Sequence, residues 1–124
     1  MKEKIVKFTD LKAWQESHEL VKAVYVIVKT LPIEERFGLA DQLRRAAISI
    51  TSNIAEGFSR QNAKEKIQFY FIALGSLTEV QNQIILAHDV GYLDAKKRDT
   101  ILGQSVIGQK LLSGLIRSIR NSTC

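Results

Sequence analysis

Cysteine and proline are almost missing from this chain. The one Cys is the last residue, Cys124, and the one Pro is Pro32. A single terminal thiol closes no internal disulfide and forms no CxxC pair, which favours a reducing, cytosolic setting. One Pro and seven Gly in 124 residues is too little turn punctuation for a β-sandwich or barrel. No apolar run approaches the ~20 residues of a membrane span, so no membrane role is expected. The opening Met1-Lys2-Glu3-Lys4-Ile5 lacks the apolar stretch of a secretory signal.

Chemistry-bearing patterns are missing as well. There are two histidines, His18 and His88, and neither has a second His at the spacing of a zinc-binding helix. A di-iron bundle needs a Glu-x-x-His pair on each of two helices, and Glu16 and Glu79 have no such partners. No GxxxxGK[ST], GxGxxG or GxSxG run is present. The carboxylates Glu34, Glu35, Glu56 and Glu79 do not form the cluster that a helical nucleotide hydrolase gathers for magnesium. The expectation is a protein with no metal, no cofactor and no catalytic activity.

What is present is helical periodicity. Hydrophobic residues are 45% and charged residues 25% of the chain, an ordinary globular composition for one domain over residues 1–124, with a short basic arm at 1–8. Four amphipathic segments follow. The first runs over 9–31 from a Thr9 cap, with Leu11, Trp14, His18, Val21, Tyr25 and Val28 as its core-facing seam, and stops before Pro32. The second runs over 39–59 with Leu39, Leu43, Ala46, Ile50, Asn53 and Gly57 on its seam. Those residues are small, so a neighbouring helix can approach closely. The third opens on Asn62-Ala63-Lys64-Glu65, a capping box, and runs to Val90 before Gly91. Its seam is Ile67, Tyr70, Leu74, Leu77, Gln81, Ile84 and His88, flanked by Phe71 and Ile85. The fourth is capped by Asp94, runs to about Asn121, and carries Ile101, Ser105, Gly108, Leu112, Leu115 and Ile119 on its seam. Four helices joined by short loops predict an all-α, antiparallel up-down-up-down four-helix bundle.

That topology concentrates charge. The chain holds 18 Lys and Arg against 13 Asp and Glu, a net charge of +5. The excess lies in residues 1–7 and 94–124. An up-down-up-down path brings both termini and the second loop to one end. That end gathers Lys2, Lys4, Lys7, Arg60, Lys64, Lys66, Arg117 and Arg120, with Glu3, Asp10, Glu56 and Glu65 as the acids nearby. An electropositive end on a chain of pI about 9.5 is the footprint of nucleic-acid binding. No aromatic stripe interleaves with these cations in sequence, so a single-strand stacking platform is not expected.

Two further features stand out. Ser49, Asn53, Glu56 and Gly57 lie along one face of the second helix, and Gly75, Ser76 and Glu79 form a similar polar stretch on the third. A hydrogen-bonded network of Ser49, Asn53, Glu56 and Glu79 that fixes helix register explains them; a ligand site is the alternative. Arg44-Arg45 sits beside the core seam, as a salt-bridge position or as a phosphate contact.

The pattern resembles a known family. Its carriers are Leu11-Lys12-Ala13-Trp14-Gln15, Tyr25, Pro32, Glu35, Leu39 and Gln42-Leu43-Arg44-Arg45-Ala46. They continue through Ser49, Asn53-Ile54-Ala55-Glu56-Gly57-Phe58, Gly75-Ser76-Leu77, Glu79 and Gly91-Tyr92-Leu93. The chain is similar to the bacterial four-helix bundle proteins encoded in intervening sequences of 23S ribosomal RNA genes, also labelled S23 ribosomal protein. The resemblance implies a homopentameric ring. It also implies kinship with the accessory protein of diversity-generating retroelements, which binds nucleic acid and a reverse transcriptase. The expected role is a non-enzymatic oligomer that binds nucleic acid, RNA above all, through Lys4, Lys7, Arg44, Arg45, Arg60, Lys64, Lys66, Arg117 and Arg120. The alternative is a scaffold or accessory subunit that docks a larger enzyme.

Overall fold

A computed structural model describes residues 4–122. Lys2, Glu3 and Cys124, on which parts of the sequence reading rest, lie outside the described residues. Four helices carry the fold: α1 (Lys12–Val28), α2 (Leu39–Ser59), α3 (Ala63–Asp89) and α4 (Ala95–Ser122). Short 3-10 turns at Phe8–Asp10 and Ile33–Glu35 precede α1 and α2. There is no strand among the described residues.

The capping chemistry sets three of the boundaries. Asn62 accepts a hydrogen bond from the Glu65 amide at 2.8 Å and opens α3. Gly91, at φ +91°, ends it: the Gly91 amide donates to the His88 carbonyl and the Tyr92 amide to the Ala87 carbonyl, a Schellman closure. Asp94 accepts from the Lys97 amide at 2.8 Å and opens α4. The fourth boundary differs from expectation. Thr9 does not cap α1, which begins three residues later. Asp10 instead turns back to accept the Val6 and Lys7 amides at 2.9 and 3.0 Å, holding the N-terminal arm in a 3-10 turn.

The helices pack in a closed cycle, each on the next and α4 back on α1. The contacts run in opposite directions along each pair. Ser49 of α2 meets Ser76 of α3, while Phe58 lies by Lys66. Gln81 of α3 meets Ser105 of α4, while His88 meets Arg98. Glu16 of α1 meets Gln104 of α4, while residues 23–27 border residues 94–101. This is an up-down-up-down bundle.

One core runs through it, built from buried Leu20, Val24, Leu43, Ile50, Ile54, Tyr70, Leu77, Ile84 and Leu112 among others. On α2 the predicted Leu43, Ala46, Ile50 and Gly57 are buried, and Leu39 and Asn53 are half-buried. The α1 and α3 seams are rotated. On α1 the fully packed positions are Ala13, Ser17, Leu20, Val24 and Ile27 together with Val21 and Val28. Trp14 is half-buried, and Tyr25 is 39% exposed rather than core. On α3, Ala73, Ser76, Val80, Gln83 and Ala87 are buried with Tyr70, Leu77 and Ile84. Phe71 and Ile85 are exposed. Each helix touches two neighbours, so its buried arc is broad. The bulky residues mark one edge of that arc, and the small residues at its centre let the helices close up. Gly57 shows this directly: a Cβ there would lie 2.7 Å from Cε1 of the buried Tyr70 ring.

Candidate nucleic-acid interface

The bundle end that holds the α2–α3 loop also receives the N-terminal arm and the C-terminus of α4. Lys4 and Lys7 are exposed on the arm, Lys64 on the first turn of α3, and Arg117 and Arg120 on the last two turns of α4. Lys12, the first residue of α1, adds an exposed cation that the sequence reading did not include.

Two basic residues at this end are engaged in holding the fold. Arg60 pairs with Glu56 at 3.0 Å and lays its guanidinium over the Phe69 ring, 4.8 Å from its centroid. Lys66 donates to the Phe58 carbonyl at 2.8 Å and reaches the Gly57 carbonyl at 3.4 Å. Its ammonium thereby meets the terminal carbonyls of α2, of which that of Gly57 also accepts the Arg60 amide, at a helix end where the dipole favours a cation. Burial lowers its pKa from the ordinary lysine value. Lys66 is therefore first a helix brace.

Arg44 and Arg45 do not join this end. Arg45 Nε lies 3.1 Å from Asp41, and Arg44 lies 3.8 Å from Asp41 and 3.5 Å from the Arg36 carbonyl. From Arg44 to Arg60 is 16 helical steps, about 24 Å at ~1.5 Å each. They form a separate group near the α1–α2 loop, both within ion-pair distance of Asp41.

The polar face of α2 also resolves into parts. Ser49 Oγ and Ser76 Oγ are 2.7 Å apart, and the Asn53 amide donates to the Ser49 carbonyl at 2.8 Å and to its hydroxyl at 3.0 Å. The α2–α3 network is thus Ser49, Asn53 and Ser76. Glu56 is exposed and belongs to Arg60. Glu79 is exposed on the rim of a cleft of about 260 Å3 that Gln42, Arg45, Ser49, Ser76 and Gln83 also line. Other resemblance-bearing residues tie loops together. The Tyr92 hydroxyl donates to Glu35 at 2.9 Å, and the other Glu35 oxygen accepts the Leu39 amide at 3.1 Å. One carboxylate thereby joins the α3–α4 loop to the start of α2.

Aromatic rings are the component the sequence reading missed. Beyond the Arg60–Phe69 pair, Lys66 lies 5.3 Å from the Phe58 ring and Arg120 lies 5.2 Å from the Phe71 ring. Phe71 is 46% exposed. Phe71 and Arg120 are distant in sequence and meet because antiparallel packing sets residue 71 against residue 120, while the other two pairs form across the α2–α3 loop. On the α1 flank of the same end, Trp14 stacks on His18 at 4.5 Å and meets Phe8 edge-on at 5.4 Å. Among the described residues there is no group of three or more His, Cys, Asp or Glu that could hold a metal ion. No helix of the described chain is long and apolar enough to cross a membrane.

Comparison with known proteins agrees with this architecture. No curated protein matches the chain. It is similar to a crystal structure of a protein of unknown function from the S23 ribosomal protein family of Bacteroides thetaiotaomicron VPI-5482. The two share 25% sequence identity and a TM-score of 0.79 over 85% of this chain and 95% of that one. The family model for the 23S rRNA-intervening sequence protein matches residues 9–114, from the first 3-10 turn into the last third of α4. The chain belongs to the 23S rRNA-intervening sequence protein family.

Proposed function

We propose that this protein acts by binding rather than by catalysis. Its ligand is nucleic acid, RNA above all, gripped through phosphate contacts at the basic end of the bundle in the cytoplasm. The observation that carries the reading is the gathering of Lys4, Lys7, Lys64, Arg117 and Arg120 as exposed cations around one end. Glu65 is exposed beside Lys64 on the first turn of α3. Glu56 is paired with Arg60, and Asp10 is turned onto backbone amides. Phosphate contacts of this kind bind tightly at low salt and discriminate weakly between sequences. A homo-oligomer, the pentameric ring implied by the family resemblance, would repeat the basic end in each copy and raise its effective strength through multivalency.

The test is charge reversal. Arg117→Glu with Arg120→Glu should weaken binding to a structured RNA at least tenfold and leave helicity and native mass unchanged. Arg44→Glu with Arg45→Glu, on the far side of the bundle, should change it little. Equal losses from both pairs would remove the basic end as the contact surface. Native mass on the same samples reads the number of copies.

A second reading is supported by the loop before α2. Ile33 and Phe37 are 77% and 82% exposed, unusually open for large apolar side chains and suited to a protein partner. In that reading the bundle is an accessory subunit of a larger enzyme, such as a reverse transcriptase. Loss of copurification of a single protein on Phe37→Ser would favour it.

A further inference from the structure

We infer that the groove between α3 and α4 at the basic end binds an unpaired nucleobase, so that the ligand is a single strand and not a duplex. The inference rests on the nucleic-acid reading above and specifies what its binding surface holds. A cleft of about 270 Å3 is bordered by Phe71 and Leu74 on α3 and by Ser113, Ile116, Arg117, Arg120 and Asn121 on α4. Its components are those of a base-stacking site: an aromatic ring, planar guanidinium groups and short polar side chains at the edge.

Phe71 is the anchor. Its helix buries Tyr70, Ala73 and Leu77 in the core, and Phe71 projects from the other side, 46% exposed. The Arg120 guanidinium sits 5.2 Å from the ring centroid, a cation–π contact that keeps a positive charge beside the exposed ring. The other two cation–ring pairs at this end are less suited. Phe69 lies within 3.1 Å of where a Cβ on Gly57 would be, and so is held against α2. Phe58 is half-buried, where Phe71 is exposed. Arg117 lines the groove and Lys64 is exposed two turns before Phe71 on α3, and both can take flanking phosphates. A duplex keeps its bases stacked inside and offers this groove only phosphate; an unpaired strand can place a base on Phe71.

The experiment compares three probes of equal length on the full chain at one low salt concentration: a single-stranded RNA, the same strand with abasic sugars, and a blunt RNA duplex. Base stacking on an aromatic side chain is worth about tenfold in affinity. The single strand is therefore expected to bind about tenfold tighter than its abasic counterpart. Phe71→Leu keeps an apolar side chain on an exposed site and should erase that difference, leaving abasic and duplex binding as they were. Phe71→Trp should restore it, with a fluorescence change on adding the base-bearing strand that the abasic strand does not give. Equal affinity for base-bearing and abasic strands, or equal loss for both in Phe71→Leu, overturns the base site while leaving the basic-end reading intact. Failure of all three probes to bind overturns both.

Discussion

Gly57→Ala is the sharpest test of how the helices are fitted together. At most exposed helical glycines this change stabilises, because alanine is favoured in a helix by about 1 kcal/mol. At Gly57 the new methyl would stand 2.7 Å from Tyr70 Cε1, 3.0 Å from Tyr70 Cδ1 and 3.1 Å from Phe69 Cβ. The Tyr70 ring is 1% exposed and has no open space to turn into. Relief requires α2 and α3 to separate over their last and first turns, which strains the Ser49–Ser76 contact farther along. Overpacking of this kind costs about 1–3 kcal/mol. With three close contacts the upper half of that range applies, and after the propensity gain the net loss is about 1–2 kcal/mol. In a domain of this size that lowers Tm by about 4–8 °C. Gly103→Ala is the control: nothing lies within 4 Å of its Cβ position, so it should gain up to about 1 kcal/mol from propensity alone. Urea unfolding followed by circular dichroism at one fixed protein concentration reads both, since self-association would make Tm concentration-dependent. A Gly57→Ala protein as stable as its parent would refute the close-approach account of this motif.

Three other outcomes follow from the same geometry. The Val6 and Lys7 amides hold the Asp10 carboxyl below its ordinary pKa, so the arm's order is fully present above the ordinary carboxylate range and is lost as pH falls through the lowered value; the protection of the Val6 and Lys7 amides against exchange, taken relative to the intrinsic rate at each pH, should fall in acid and should be lower in Asp10→Asn at neutral pH. Burial pushes Tyr70 up to about 12 from 10.0, so the neutral ring stabilises the fold below pH 10 and that stability drains away between 10 and about 12; Tyr70→Phe should raise the midpoint of alkaline unfolding. Removing the Tyr92 hydroxyl or the Glu35 carboxyl should each destabilise, the carboxyl more because it also releases the Leu39 amide, and a double-mutant cycle should show that the losses are not additive, because both delete the same bond.

Much of this fold is legible in the sequence, and what is not has a common cause. The span of α2, the caps Asn62 and Asp94 and the stop at Gly91 are written in local residue chemistry, and each stands where its residue type puts it. Thr9 was a reasonable cap, but Asp10 found amides behind it, a choice that depends on where the arm lies. The rotated seams of α1 and α3 arise because Ala13, Ser17, Ala73 and Ser76 do not look like core, although they occupy the centre of the interfaces. A spacing rule weighted by bulk follows Trp14 and Leu74 to the edge instead. At the basic end the charges could be placed from topology alone. The pairing of Phe71 with Arg120 and of Phe69 with Arg60 could not, because it depends on side-chain register between elements. Charge alone groups Arg44 and Arg45 with the other cations, and the length of α2 separates them.

The central claim is that phosphate contacts at one end of the bundle do the binding. It is tested most directly by the affinity of the full chain for single-stranded RNA across a salt series. Each phosphate neutralised on a single strand contributes about −0.7 to the slope of log affinity against log salt. Engagement of Lys64, Arg117 and Arg120, with or without Lys4 and Lys7, gives a slope between about −2 and −4 per protomer, and Arg117→Glu with Arg120→Glu should flatten it by about 1.4 or more. A slope near zero, or no binding at low salt, would contradict the account.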